Sequence, residues 1–190
     1  MKYMVKFGGV VVAAFALVQA LQATPITGNI SFTGWATLDS SSAGNATAVT
    51  SWIAPVNAGG TTGTFSGIAN GTAAAFSPAV WNFSTSTPIN NFWMVGGFSF
   101  ELLSSSITSQ GYDASGGSVT VDGSGWVSAT GYTTTLMSWH FTTQDNGSGT
   151  TQTQWSFSAG DESVPDGGAT VILLGIALSG VALLRKKLNA

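Results

Sequence analysis

The chain lacks cysteine altogether and has few charged residues. It has 190 residues with 0 Cys and 1 His, and only 7% of them are Asp, Glu, Lys or Arg, against about 25% in an average soluble domain. Without cysteine the chain can form neither disulfides nor structural zinc sites of the usual kinds. Its length suits one ordinary domain with targeting segments, and that domain must depend on burial and strand pairing for its stability.

Positive charge is missing from the whole interior of the chain. All 5 Lys and Arg residues lie within six residues of an end, at Lys2, Lys6, Arg185, Lys186 and Lys187. Nucleic-acid binding needs clustered Lys and Arg to neutralise phosphates, so this class of function is excluded. A Walker-type nucleotide site, which needs a lysine, is excluded as well.

The first 23 residues have the order of a secretory signal peptide. Two lysines precede an apolar run at 7–18, and the segment 19–23 that follows ends in a small residue, Ala23. This order predicts export through the Sec machinery and removal of 1–23 by signal peptidase, with the cut after Ala23. A cut after Ala20 is a close alternative.

The last 27 residues consist of a short motif, an apolar run and a basic cluster. The run at 169–184 is uncharged and would form about 24 Å of helix, slightly less than the roughly 30 Å hydrocarbon core. The basic residues directly after it, at 185–187, favour a transmembrane helix with this stop in the cytoplasm. We therefore expect the middle of the chain to lie on the far side of the membrane.

The motif before the apolar run is Val164-Pro165-Asp166-Gly167-Gly168. With the helix and basic stop that follow, it resembles the PEP-CTERM sorting signal in its VPDSG variant. The resemblance implies an exported protein of a Gram-negative bacterium that makes extracellular polysaccharide. It also implies an exosortase, a membrane protease or transpeptidase that cleaves near the motif and passes the protein to the surface or matrix. Many members have Glu-Pro where this chain has Asp-Gly, which leaves open which enzyme of the group acts on it.

Local chemistry supports a processing signal at this point of the chain. Pro165 fixes its own backbone and disfavours a helical conformation at Val164, so the chain is expected to be extended where a protease would bind it. A plain single-pass anchor is the alternative. A glycolipid-anchor signal does not fit, since the polar spacer is missing and cations follow the apolar tail.

The middle segment, 24–163, holds all 7 Trp and is rich in Ser, Thr and Gly. Apolar and polar residues alternate along it, as at 30–38 and 118–122, with Gly- and Asn-rich turns between. Further strands are predicted at 48–53, 63–68, 79–84, 92–102, 125–130, 134–143 and 153–158. The pattern predicts an all-β ectodomain, an antiparallel β-sandwich or jelly roll.

Three Trp-x-Phe pairs recur in these predicted strands: Trp81 and Phe83, Trp139 and Phe141, Trp155 and Phe157. Residues two apart share one face of a strand, so each pair presents two rings to the same side. The main interpretation is a buried core. The alternative is an aromatic platform that stacks on sugar rings.

Neither a catalytic residue nor a metal or cofactor site is predicted. His140 lies between Trp139 and Phe141 and should point away from the core, and no nucleophile elbow occurs. Glu101 could form a glycosidase pair with another acid such as Glu162, but only if folding brings the two together. The alternative of a calcium site rests on three aspartates near Gly-rich turns, Asp113, Asp122 and Asp145.

The sequence thus predicts a non-enzymatic surface or matrix protein, held at the inner membrane as a precursor and then sorted outward. Its expected partners are the Sec machinery and signal peptidase, an exosortase and the membrane, with exopolysaccharide left open. The alternatives are a carbohydrate-binding module and a secreted glycan-active enzyme using Glu101.

Removal of both end segments would leave a protein without Lys or Arg. We expect trypsin to leave the denatured, exported protein uncut, because no cleavable bond lies between residues 7 and 184. Chymotrypsin, which cuts after aromatic residues, serves as the control for unfolding. Internal tryptic peptides in a mass spectrum would contradict the scheme.

Overall fold

A computed structural model describes residues 23–113, 116–145 and 149–160, and this part of the chain is all β. Two short 3-10 turns, Ala43–Asn45 and Gly63–Gly67, lie between strands, and no α-helix occurs in these ranges. The strands are β1 (Thr24–Pro25), β2 (Asn29–Leu38), β3 (Ala48–Gly59), β4 (Ala73–Phe76), β5 (Trp81–Asn82), β6 (Ile89–Val95), β7 (Phe98–Asp113), β8 (Gly116–Ala129), β9 (Tyr132–Thr133), β10 (Thr135–Gln144) and β11 (Gln152–Gly160).

Eight of these strands form a closed antiparallel barrel. Their order is β2-β11-β10-β8-β7-β6-β4-β3, and β3 pairs back onto β2 to close the ring. The short β5 pairs with the start of β3, while β1 and β9 form a separate parallel pair. The all-β antiparallel prediction is confirmed, but the predicted sandwich or jelly roll is wrong, because one sheet closes on itself.

The alternation in the sequence could not distinguish these two architectures. In β2, Ile30, Phe32, Ala36 and Leu38 are buried, as predicted. Alternation shows that each strand has one buried face, and both a barrel and a sandwich bury one face of every strand. What decides is that β2 pairs with β11 as well as with the next strand, β3, because β11 is distant from β2 in the chain.

The three Trp-x-Phe pairs meet inside the barrel. All six rings are at most 3% exposed, and the ring of Trp81 lies 5.7 Å from Trp139 and 5.2 Å from Phe141 between centroids. Phe141 in turn lies 5.8 Å from Trp155. Aromatic pairs at such separations contribute about 0.5–1.5 kcal/mol each beyond the area they bury. The prediction that these pairs form the core is therefore confirmed.

Four indole N–H groups in this lumen have no hydrogen-bond acceptor among the described residues. They belong to Trp81, Trp93, Trp139 and Trp155. The rings around Trp81 are nearly perpendicular to it, at 86° for Phe141 and 70° for Phe83. In such edge-to-face pairs the ring faces are the available, weak acceptors for N–H groups.

Several predicted strands have different bounds in the structure. The segment predicted at 63–68 is a 3-10 turn, since Gly63 has φ +58° and any Cβ there would lie 2.4 Å from the Thr27 carbonyl oxygen. The strand predicted at 92–102 is two strands joined by Gly96 and Gly97, both with positive φ, as two-residue hairpin turns of this hand require. The strand predicted at 79–84 is only β5, and the Ala-rich β4 was not predicted at all.

Close approach of β8 to the neighbouring strand yields a stability prediction. A Cβ on Gly123 would lie 2.0 Å from the Ser104 carbonyl oxygen and 2.6 Å from the Trp139 ring. We expect Gly123→Ala to lower the free energy of unfolding by about 3 kcal/mol. Gly111→Ala is the matched control, because nothing lies within 4 Å of the Cβ it would gain. Urea unfolding of both variants measures the difference, and equal stability would contradict the packing.

Candidate functional site

The two ends of the described chain leave from the same rim of the barrel. Gly160 ends β11 and pairs with Asn29, where β2 begins, and with Ser138 on β10. We call this end the terminal rim; the turn at Gly96–Gly97 and the end of β8 lie at it too. Any segment that follows β11 therefore starts at the terminal rim.

The residue before the predicted signal cleavage bond also lies at the terminal rim. The carbonyl oxygen of Ala23 accepts a hydrogen bond of 2.6 Å from the Thr133 hydroxyl. Directly after it, Thr24 and Pro25 pair with Tyr132 and Thr133. Residues 23–25 thus contact the segment at 132–133, while cleavage after Ala23 itself remains a prediction.

The predicted sorting residues lie outside the described residues: Val164, Pro165, Asp166, Gly167, Gly168, Arg185, Lys186 and Lys187. So does the predicted transmembrane helix at 169–184. Within the described ranges, no helix has the length and hydropathy needed to cross a membrane.

The motif at 164–168, the apolar run and the basic stop follow Gly160 within one short segment. Residues 163–188 match the VPDSG-CTERM motif. The chain carries this sorting signal. The motif implies an exported protein that is sorted to the surface and processed by an exosortase. No curated protein and no solved structure is significantly similar to the chain.

The Trp-x-Phe pairs do not form a sugar-stacking platform. Their rings fill the lumen and have almost no exposed surface, so that alternative is wrong. The exposed tryptophans are two others, Trp35 at 51% and Trp126 at 38%. The outward direction of Trp126 could have been predicted from the sequence. Val119, Val121 and Val127 point inward along β8, so the even-numbered residues near them point outward.

His140 points to solvent, as predicted, and contacts Asp122 on the neighbouring strand. Its Nδ1 meets Asp122 Oδ1, and the Thr108 hydroxyl donates to Asp122 Oδ2 at 2.6 Å. Partial burial raises the pKa of Asp122, but the hydrogen bonds from Thr108 and His140 and the charge of His140 together hold it below 3.8. His140 and Thr108 are thus the local hydrogen-bond partners of the Asp122 carboxylate.

Ser158 faces His140 from the other side, which completes a row of acid, imidazole and hydroxyl across three strands. Among the described residues no hydrogen bond joins Ser158 to His140. Both His140 and Asp122 are about half exposed on the outer wall. A catalytic triad acts in a site that excludes water and supplies oxyanion donors, and this open row provides neither.

The carboxylates at the other rim bind backbone N–H groups. Buried Asp145 accepts from Ala43 N at 2.5 Å and from Gly117 N at 3.1 Å. Through these two hydrogen bonds Asp145 links the loop after β2 to the start of β8. Asp122 lies within β8 and is engaged with His140, and the side chain of Asp113 lies outside the described residues. No cluster of three or more metal-ligating side chains occurs in the described part, so the calcium alternative has no support there.

Glu101 lines a groove on the outer wall close to the terminal rim. This wall groove has a volume of about 390 Å³ and is lined by Asn90, Asn91, Ser99, Glu101, Trp126 and Ser128. Glu101 and Trp126 are directly opposite each other on β7 and β8. No second carboxylate lines the groove, and Glu162, the other acid named from the sequence, lies outside the described residues. The described geometry therefore gives Glu101 no partner for glycoside hydrolysis, which needs two carboxyl groups.

Asp39 yields a prediction about acid stability. Partial burial raises the pKa of Asp39. Hydrogen bonds from the Thr47 hydroxyl and from the backbone N–H groups of Thr47 and Ala48 lower it by more, so the net pKa lies below 3.8. A lowered folded-state pKa stabilises the fold above pH 3.8, and this contribution is lost as the pH falls through the folded pKa.

We expect Asp39→Asn to cost about 1 kcal/mol at pH 7 and less at pH 2, because the contribution of the carboxylate is lost as the pH falls through its folded pKa. Urea unfolding at both pH values measures the effect. Thr47→Val, which removes one of the three hydrogen bonds, should fall between wild type and Asp39→Asn at pH 7. An equal cost of Asp39→Asn at both pH values would contradict the charge-dependent role.

Proposed function

We propose that the barrel is a non-catalytic structural protein of the cell surface or extracellular matrix of a Gram-negative bacterium, placed in or near exopolysaccharide. The observation that carries this proposal is the filled lumen. Barrels of eight strands that bind small molecules hold them in an interior cavity, whereas here Phe32, Phe141 and Phe157 and their neighbours occupy the interior. Any ligand must then bind on the outside.

The outer wall also suits a position within a hydrated polysaccharide. Hydroxyl groups on it pair across strands, such as Thr142 with Ser156 at 2.8 Å and Ser104 with Ser124 at 3.2 Å. Hydroxyl-rich surfaces exchange hydrogen bonds with water and sugar alike. The packed lumen supports a non-catalytic role.

In the proposed route, signal peptidase removes 1–23 and the precursor stays in the inner membrane through 169–184. The exosortase then cleaves near Pro165 and releases the barrel from the terminal rim. Because the described part of β11 ends at Gly160, such cleavage leaves the described barrel pairing intact.

The main competing function is a secreted glycan-active enzyme using Glu101. It predicts release of reducing ends from a polysaccharide that disappears in Glu101→Gln. This outcome would contradict the structural proposal.

The sorting step is tested by intact mass and location of the protein in its native host. We expect the surface-exposed wild-type protein to lack Arg185–Ala190. Replacing Val164 and Pro165 by alanine should leave the full tail on a membrane-bound precursor, because the recognition motif is gone. Asn189→Ala, outside the matched residues, is the control and should be processed normally. An intact tail on all surface-exposed wild-type protein would contradict the proposal.

A further inference from the structure

Glu101 differs from the other described acids in having no hydrogen bond within the described residues. Asp39 and Asp145 accept backbone N–H groups, and Asp122 contacts Thr108 and His140. In a chain without interior Lys or Arg, backbone N–H groups, hydroxyl groups and the one histidine are the donors available to the acids. The carboxylate of Glu101 instead lines the wall groove with its acceptor positions unoccupied.

The floor of the groove contains a bulge. Ile89 pairs with Leu102 and Trp93 with Phe100, so three residues on β6 oppose one on β7. Asn90 and Asn91 are the two extra residues, and both are exposed while Phe92 and Trp93 are buried. Bulges often redirect side chains beside binding sites. Here the bulge directs two side-chain amides into the groove.

Asn91 is also held in an unusual backbone conformation. It has φ +54°, and it is the only residue other than glycine with positive φ in the described part. Such a conformation costs about 1 kcal/mol or more and tends to occur at functional sites. The Ser99 hydroxyl donates to Asn91 Oδ1 at 2.6 Å, which leaves the side-chain NH₂ group of Asn91 as a donor to a ligand.

Trp126 supplies an apolar surface beside these polar groups. It is 38% exposed and lies between Glu101 on β7 and Leu136 on β10. Pockets that bind small ligands combine an aromatic surface with a few converging polar groups. An indole face next to a carboxylate and two amides matches a sugar ring, which has one apolar C–H face and hydroxyls around its edge.

We propose that the wall groove binds neutral polysaccharide, with a sugar ring stacked on Trp126 and its hydroxyls bonded to Glu101, Asn90 and Asn91. This inference rests on the proposed function and names its ligand class. Neutral glycan is specified because the described part has acids and no Lys or Arg. Uronate polymers would be repelled by Glu101 and find no cation to bind.

Affinity gel electrophoresis of the full-length protein in neutral detergent tests the site. The gels contain hydroxyethylcellulose, dextran or alginate. We expect at least one of the two neutral glucans to retard the wild-type protein and alginate not to do so. Trp126→Ala should weaken the binding at least tenfold, and Trp126→Phe, which keeps a ring, should lie between. Near-ultraviolet circular dichroism checks that each variant is folded.

Trp35→Ala is the matched control, because Trp35 is also exposed on the outer wall, opposite Gln154 and Ile53, and outside the groove. It should bind within twofold of wild type. Three results would overturn the proposal: no retardation by either neutral glucan, equal losses in the Trp35 and Trp126 variants, or stronger binding to alginate. Surface-located, processed protein that fails to bind would refute only this site, whereas Glu101-dependent hydrolysis of a glucan would refute the proposed function.

Discussion

Packing of aromatic rings in the lumen is the interaction on which the barrel depends. Strands far apart in the chain meet there: Phe32 on β2 lies 5.0 Å from Trp93 on β6 and 6.1 Å from Phe157 on β11, between ring centroids. Disulfides are impossible without cysteine, and the only ion pair in the described residues is the exposed His140–Asp122 contact. Burial of these rings is therefore the main term available to offset the entropy of closing the sheet.

The same shortage of cations determines how the acids are used. In most domains Lys and Arg pair with surface carboxylates, but here Asp39 and Asp145 hold loops by accepting backbone N–H groups. These hydrogen bonds fix the backbone of the loops at the rim opposite the termini. Glu101 accepts no such hydrogen bond within the described residues. Its position beside Trp126 therefore points to a ligand outside the chain.

Much of the wall could be predicted from sequence, because a strand's inward and outward faces follow from a period of two. This principle identified the buried faces of β2 and β10 and the outward direction of His140. It could not predict closure, which depends on β2 pairing with the distant β11 on one side and with β3 on the other. Nor could it predict the wall groove, since the bulge at Asn90 and Asn91 shifts the alternation of β6, and Glu101 and Trp126 become neighbours only through strand register.

Closure of the barrel has a consequence for crowded surroundings. A protein concentrated at a surface meets many copies of itself, and an open sheet edge would offer unpaired N–H and C=O groups to the next copy. Each of the eight barrel strands has a neighbour on both sides. The fold can thus be concentrated at a surface with little risk of edge-to-edge aggregation.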